Sequence, residues 1–168
     1  MSSRAKLKSG QSPHAEPAGA ALWSRPGFLV RRLHQIHAAM FAEECGAFNI
    51  TPVQYGLMTI LLEQPGLDQI SLGSELGIDR TNVADVLVRL EVRGLVRRQV
   101  SRADRRMKLA SLTNEGETLT RRMESHMKRA QERLMTPLGE SDRATFLKLL
   151  GRLVDANNEW SRAPLRMD

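Results

Sequence analysis

With 168 residues, 41% of them hydrophobic and 26% charged, the chain has room for one domain with a real core and an ordinary globular balance. No run approaches the roughly eighteen apolar residues a membrane span needs, and the opening "MSSRAKLKSGQSPHAEPAGAA" lacks the apolar segment of a secretory signal, so residues 1–22 read as a flexible tail. One cysteine, Cys45, excludes an intramolecular disulfide and fits a reducing cytoplasm, and the net charge of +6 points towards a polyanionic partner.

In chain order, Phe28, Leu29, Leu33, Ile36, Met40 and Phe41 recur at helical spacing and predict a long helix from about Gly27 to Glu44, broken by Gly46 and Asn49. "TPVQYGLMTILLEQPG" offers Thr51 as a cap and Pro52 at the first helical position, with Val53, Leu57, Ile60 and Leu61 on one face and Pro65-Gly66 as the stop. Ser71 is a candidate cap for a short helix ending at Gly77, and Asp79 or Thr81 for the next, which stops at Gly94. Two short helices joined by a tight turn make a helix-turn-helix candidate. In its second helix Val83, Val86, Leu87 and Leu90 form one buried stripe, and the opposite face carries Asn82, Asp85 and Arg89 with Thr81 at the leading end.

"LVRRQV" and "MKLASLT" then read as a hairpin around the charged loop "SRADRR". Thr113 or Asn114 caps a long helix to about Met135, and Ser141 or Asp142 starts a last helix through Phe146, Leu149, Leu150, Leu153 and Val154 to about Trp160. Trp23 and Trp160 are read as anchors of the two ends. The first helix and the last two carry apolar stripes longer than a compact core needs, and a second copy of the chain is the economical cover.

The charge is concentrated. Residues 89–108 hold eight basic side chains (Arg89, Arg93, Arg97, Arg98, Arg102, Arg105, Arg106, Lys108) against Glu91 and Asp104, and the rest of the chain balances. A neutral body with one cationic module is the pattern of a protein that meets nucleic acid at one surface.

"LGIDRTNVADVLVRLEVRGLVRRQVSRADRRMKLASLTNEGETL" resembles the core of the MarR family of bacterial transcriptional regulators: a helix-turn-helix, then "RLEVRGLVRR", a D-R-R wing, and an apolar alternation ending in L-T-N-E-G. The resemblance implies a mainly α fold with a small β-hairpin wing, a winged helix-turn-helix dimerised through N- and C-terminal helices. It divides a single domain over 23–168 into a DNA-binding lobe at about 51–113 and dimerisation helices at 25–46 and 114–160. It assigns base-edge contacts to some of Thr81, Asn82, Asp85 and Arg89, phosphates to Ser71 and Thr81, and the minor groove to Arg105 or Arg106. Arg80 and Arg102 complete the implied DNA-binding set, and Asp104 is expected to orient a wing arginine. Asp85 departs from the pattern: an acid on the reading face repels phosphate, although it can accept from a cytosine amino group.

Relatives of this family often bind small aromatic or phenolic acids beside the dimerisation helices. On that reading Arg31, His34, His37 and Tyr55 would hold a carboxylate or hydroxyl, lined by Met40, Phe41 and Met58. His34 and His37, one helical turn apart, lack an obvious third and fourth metal ligand even with Glu43, Glu44 and Cys45 two turns on, so no metal or cofactor is expected. Cys45, beside two glutamates, reads as an inert thiol. No nucleophile elbow, phosphate-binding glycine loop or HExxH is present, and no enzyme activity is expected. The expected function is a dimeric, cytoplasmic, sequence-specific repressor of a pseudo-palindromic operator, released by a small aromatic or carboxylic effector. The competing readings are a ligand-insensitive architectural DNA binder and an adapter that has lost DNA binding.

Overall fold

The structure, a computed structural model, describes residues 20–161 and 163–165. The tail expected over residues 1–22 therefore lies outside the described residues up to position 19, and its last three positions begin a short helix. The chain divides at Ile36 into two compact units.

The first unit holds helix α1 (Ala20–Trp23) and the leading part of α2 (Pro26–Cys45). Trp23 packs edge-on against Phe28 at 5.0 Å, and the Arg31 guanidinium lies 5.2 Å over the same ring. Leu29 and Ile36, two of the six residues of the predicted stripe, are exposed, as is the neighbouring Val30.

The second unit runs from His37 through a 3₁₀ turn (Gly46–Phe48), α3 (Pro52–Glu63), α4 (Gln69–Leu76), α5 (Arg80–Val92), β1 (Val96–Val100), β2 (Lys108–Leu112), α6 (Asn114–Met135), α7 (Glu140–Ala156) and a closing 3₁₀ turn (Asn158–Trp160). Among the described residues no helix is long and apolar enough to cross a membrane. Thr51 begins α3 as predicted, in a reciprocal box: its hydroxyl accepts from the Gln54 N–H at 3.2 Å, and its N–H donates to the Gln54 side chain at 2.9 Å. Asp79 rather than Thr81 caps α5, and Thr113 rather than Asn114 caps α6.

Two predicted starts move. α4 is capped by Asp68, not Ser71, because one carboxylate oxygen accepts from both the Ile70 and Ser71 N–H groups, at 2.7 and 3.1 Å. A hydroxyl cap at Ser71 would leave the turn before it unformed. α7 begins at Glu140, after Gly139 with no side-chain cap, ahead of the expected Ser141 or Asp142.

The core packs Leu57, Met58 and Leu61 of α3 against Leu72 of α4, Val83, Leu87 and Leu90 of α5, Leu95 to Val96 and Ala110 to Leu112 of the hairpin, and Met123 of α6. The strands pair antiparallel with Val96 opposite Leu112 and Val100 opposite Lys108. Leu67, between α3 and α4, adds a one-residue bridge to the other edge of β2: Ala110 N–H donates to its carbonyl at 2.8 Å and Gly66 N–H to the Ala110 carbonyl at 2.9 Å. That bridge locks the hairpin to the helix-turn-helix. The helix-turn-helix turn itself passes through Gly77 at φ +64°, a left-handed conformation that costs most side chains strain.

Gly116, in the first turn of α6, lies against the chain entering β1. A Cβ there would overlap the Leu95 carbonyl oxygen and stand 3.0 Å from its carbon.

α7 buries no residue, and Leu147, Leu149, Leu150, Leu153 and Val154 are all exposed. Beyond it the chain turns back. Asn158 clasps Leu165 with two 2.8 Å hydrogen bonds, donating to its carbonyl and accepting its N–H, and Leu165 packs against Gly77. Trp160, expected to anchor this end, is 82% exposed.

Candidate nucleic-acid interface

The exposed face of α5 carries Arg80, Thr81, Asn82, Asp85 and Arg89, which the sequence places on one side by spacing. Val83, Leu87 and Leu90 bury the other side completely and hold that face outward. Asp85 and Arg89 stand one turn apart without pairing. Asn82 is held by the cap: Asp79 accepts its backbone N–H at 3.0 Å and its side-chain amide at 2.6 Å. Those bonds hold the Asp79 carboxyl below the usual aspartate range.

The wing loop is built from its own residues. Ser101 is buried at the loop entry, and its hydroxyl accepts the N–H groups of Ala103 and Asp104 at 3.2 and 3.3 Å. Asp104 then accepts the Arg106 N–H at 2.9 Å and both Nε and Nη2 of its guanidinium at 3.2 Å. The Arg106 guanidinium lowers the Asp104 carboxyl below its usual range. Ser101 and Met107 close the loop through Ser101 N–H to the Met107 carbonyl, 2.9 Å. Arg102 and Arg105 are exposed beside it, and the Arg106 side chain is 91% exposed although paired.

Ser71, Arg80, Arg106 and Lys108 line one cleft of about 360 Å³ between the start of α4, the start of α5 and the wing. The Ser71 hydroxyl, expected to meet phosphate, donates to Asp68 at 3.2 Å and keeps its own acceptor capacity.

Not every charge in the basic window is free. Arg98 pairs with Glu91, holding β1 to α5, and the Arg93 guanidinium donates to the carbonyls of Phe48 and Asn49. Both are structural. Arg89, Arg97, Arg102, Arg105 and Lys108 make no ion pair among the described residues.

The seven residues expected to bind a ligand are divided between the two units. Arg31 and His34 are exposed in the first unit; His37 and Met40 are half-buried in the second. Phe41 and Met58 belong to the core, where a large apolar side chain gains more from burial than a ligand wall would offer. Tyr55 alone of the seven lines a cleft of about 680 Å³ between α3 and α6, with Thr59, Leu62, Arg121, Met127 and Lys128 among its other walls. Burial pushes the Tyr55 phenol above its usual range, keeping it a neutral donor. Glu44, weighed as a further metal ligand, is clasped by Arg129 at 3.0 Å and Arg133 at 2.8 Å, and these hold its carboxyl low. Cys45 is fully buried, and burial first, then Glu44, pushes its thiol up.

The MarR family model matches residues 50–108, which span the helix-turn-helix and the wing. The PcaV transcriptional regulator of Streptomyces coelicolor, solved with its natural ligand, is 33% identical, with 80% of this chain and 95% of that one covered and a TM-score of 0.73. The chain belongs to the MarR family.

Two further relatives of the fold are informative. The repressor CouR, solved on a 23-mer DNA duplex, is 28% identical over 83% of this chain and 99% of its own, with a TM-score of 0.78. BpsR of Bordetella bronchiseptica, whose DNA binding is regulated by 6-hydroxynicotinic acid, is 26% identical over 79% and 94%, with a TM-score of 0.76. This MarR-family chain is thus a transcriptional regulator with a winged helix-turn-helix fold. Its sequence motifs locate α5 and the wing, but not Ser101, which shapes the wing, nor the second bond from Asp79. The Ser-x-x-Asp spacing of "SRAD" is the signal that could have found Ser101, since a hydroxyl so placed accepts N–H groups two and three residues on.

Proposed function

We propose that the protein is a cytoplasmic homodimeric repressor that binds a pseudo-palindromic operator and leaves it when a small aromatic or carboxylic acid binds. The observation that carries the DNA half is the shared cleft in which Ser71, Arg80 and the Asp104-held Arg106 converge, beside the outward face of α5. In this reading Thr81, Asn82, Asp85 and Arg89 meet base edges in the major groove. Arg106, with Arg105 next to it, enters the minor groove, where a narrow groove concentrates negative potential. Arg102 and Arg80 meet phosphates. The effector half is supported by the α3–α6 cleft, whose volume of about 680 Å³ suits a small ligand. There Arg121 and Lys128 would meet a carboxylate, in walls that also hold Glu63 and Glu124, with Tyr55 offering a hydrogen bond and Met127 and Leu62 an apolar surface. Ligand would shift the population towards a spacing of the two reading helices that misfits successive major grooves.

The full-length protein should prefer duplex from its own upstream region over random duplex at physiological salt. If each subunit meets about four phosphates, the log–log salt slope should be roughly −7. Equal binding to both duplexes would replace this reading with the architectural one, and absence of binding with the adapter. A panel of aromatic acids should contain members that raise the melting temperature and release the operator together.

Asp104→Ala should weaken operator binding despite removing a negative charge. Arg106 then has to be ordered on DNA, and immobilising such a side chain costs ~0.5–1.5 kcal/mol, about 2- to 10-fold in affinity. Stronger binding by the variant would mean that the loop is a diffuse cationic patch.

A further inference from the structure

Capping α5 requires one bond from Asp79, the acceptance of the Asn82 N–H by Oδ1 at 3.0 Å. The second bond, from Asn82 Nδ2 to Asp79 Oδ2 at 2.6 Å, adds nothing to the cap. It fixes the Asn82 side chain on the exposed face of α5, where the groove would lie.

An asparagine amide offers two N–H donors and one carbonyl acceptor. A free one turns over readily, and turning over exchanges donor for acceptor. Asp79, being ionised, only accepts, so it admits the NH₂ group and repels the carbonyl. One N–H is spent on the cap residue. The second N–H and Oδ1 remain, and that donor–acceptor pair matches N7 and N6 of adenine in the major groove.

Resting on the DNA-reading function above, we infer that Asp79 is a positioning residue for sequence recognition, pinning the Asn82 amide in the orientation that reads adenine. Asp79 touches no base. It removes the wrong orientation before the groove is met, so the ordering cost is met on folding and not on binding.

Two substitutions separate this role from capping. Asp79→Ser and Asp79→Asn both keep a good N-cap, since serine and asparagine rank with aspartate there. Serine releases the Asn82 amide. Asparagine presents an N–H to it and favours the inverted orientation. The full-length protein, Asn82→Ala, both Asp79 variants and the Asp79→Ser/Asn82→Ala double variant would be titrated against the best duplex selected from a random pool and against each of its single-base-pair substitutions. Melting temperatures would be measured in parallel. Discrimination is read as a ratio of affinities, because removing a carboxylate strengthens phosphate attraction for all duplexes alike.

At the A·T pair in each half-site where Asn82→Ala loses discrimination, Asp79→Ser should lose about 3- to 10-fold and Asp79→Asn more. Melting temperature should stay near that of the unmodified protein. The double variant should discriminate no worse than Asn82→Ala alone. Full discrimination in both Asp79 variants, with Asn82→Ala defective, would reduce Asp79 to a cap and leave the DNA reading standing. Unchanged discrimination in Asn82→Ala, or a defective pair other than A·T, would also overturn the inference. An unmodified protein without preference among duplexes would remove the DNA reading and the inference together.

Discussion

Gly116→Ala is expected to lower the melting temperature by about 10 °C, although alanine is the better helix former. Two effects oppose each other at this position. Replacing a helical glycine gains about 1 kcal/mol in propensity. The new Cβ, however, would overlap the backbone carbonyl of Leu95, and no rotamer change relieves a clash with backbone. Overpacking costs about 1–3 kcal/mol where side chains can shift, and here about 4 kcal/mol is expected because the strand entry itself must move. That movement also pulls on two bonds of the α6 cap, Thr113 N–H to Leu95 carbonyl at 3.0 Å and Thr113 Oγ1 to Gly94 carbonyl at 2.6 Å. A net loss of ~3 kcal/mol in a chain of this size corresponds to about 10 °C. Thermal unfolding followed by circular dichroism measures it directly. A melting temperature at or above that of the unmodified protein would show that the hairpin can leave α6 at little cost.

Leu147→Glu combined with Leu153→Glu is expected to separate the subunits while leaving each one folded. Both leucines are about 60% exposed in the single chain, 60% and 59%, so the substitutions remove nothing from its core. In a dimer joined through α7 they would bury two carboxylates per subunit against apolar surface, which proteins do not sustain without partners. Sedimentation should show a halved mass, with the helical circular dichroism signal retained. Operator affinity should fall about 100-fold or more, because a monomer engages one half-site and loses the effective concentration that linkage provides. A variant that stays dimeric and binds normally would place the subunit interface elsewhere.

How far the sequence carried depends on what each residue's signal consists of. The α5 stripe of Val83, Val86, Leu87 and Leu90 repeats at helical spacing, so its helix and its outward face could be read in advance. The hairpin was readable for the same reason, as two apolar runs around a polar loop. Caps were half readable: Thr51 and Thr113 sit before apolar periods, whereas Asp68 lies one residue ahead of a short helix in which Ser71 is the more familiar cap type. The Leu67–Ala110 bridge is one residue long and has no period at all. Arg93 and Arg98 look like their exposed neighbours in composition, and only the fold shows that their partners are the carbonyls after α2 and Glu91. Phe41 and Met58 obey the same apolar pattern whether they line a pocket or fill a core, so periodicity alone does not separate the two roles.

The wing loop has a consequence of another kind. Every bond described within it begins and ends between Ser101 and Met107, through Ser101, Asp104 and Arg106. Its internal hydrogen bonding is therefore written in seven consecutive residues. Such a segment is a cassette. Its exchange for the same segment of a relative that shares the hairpin register should therefore leave the fold of α5 undisturbed.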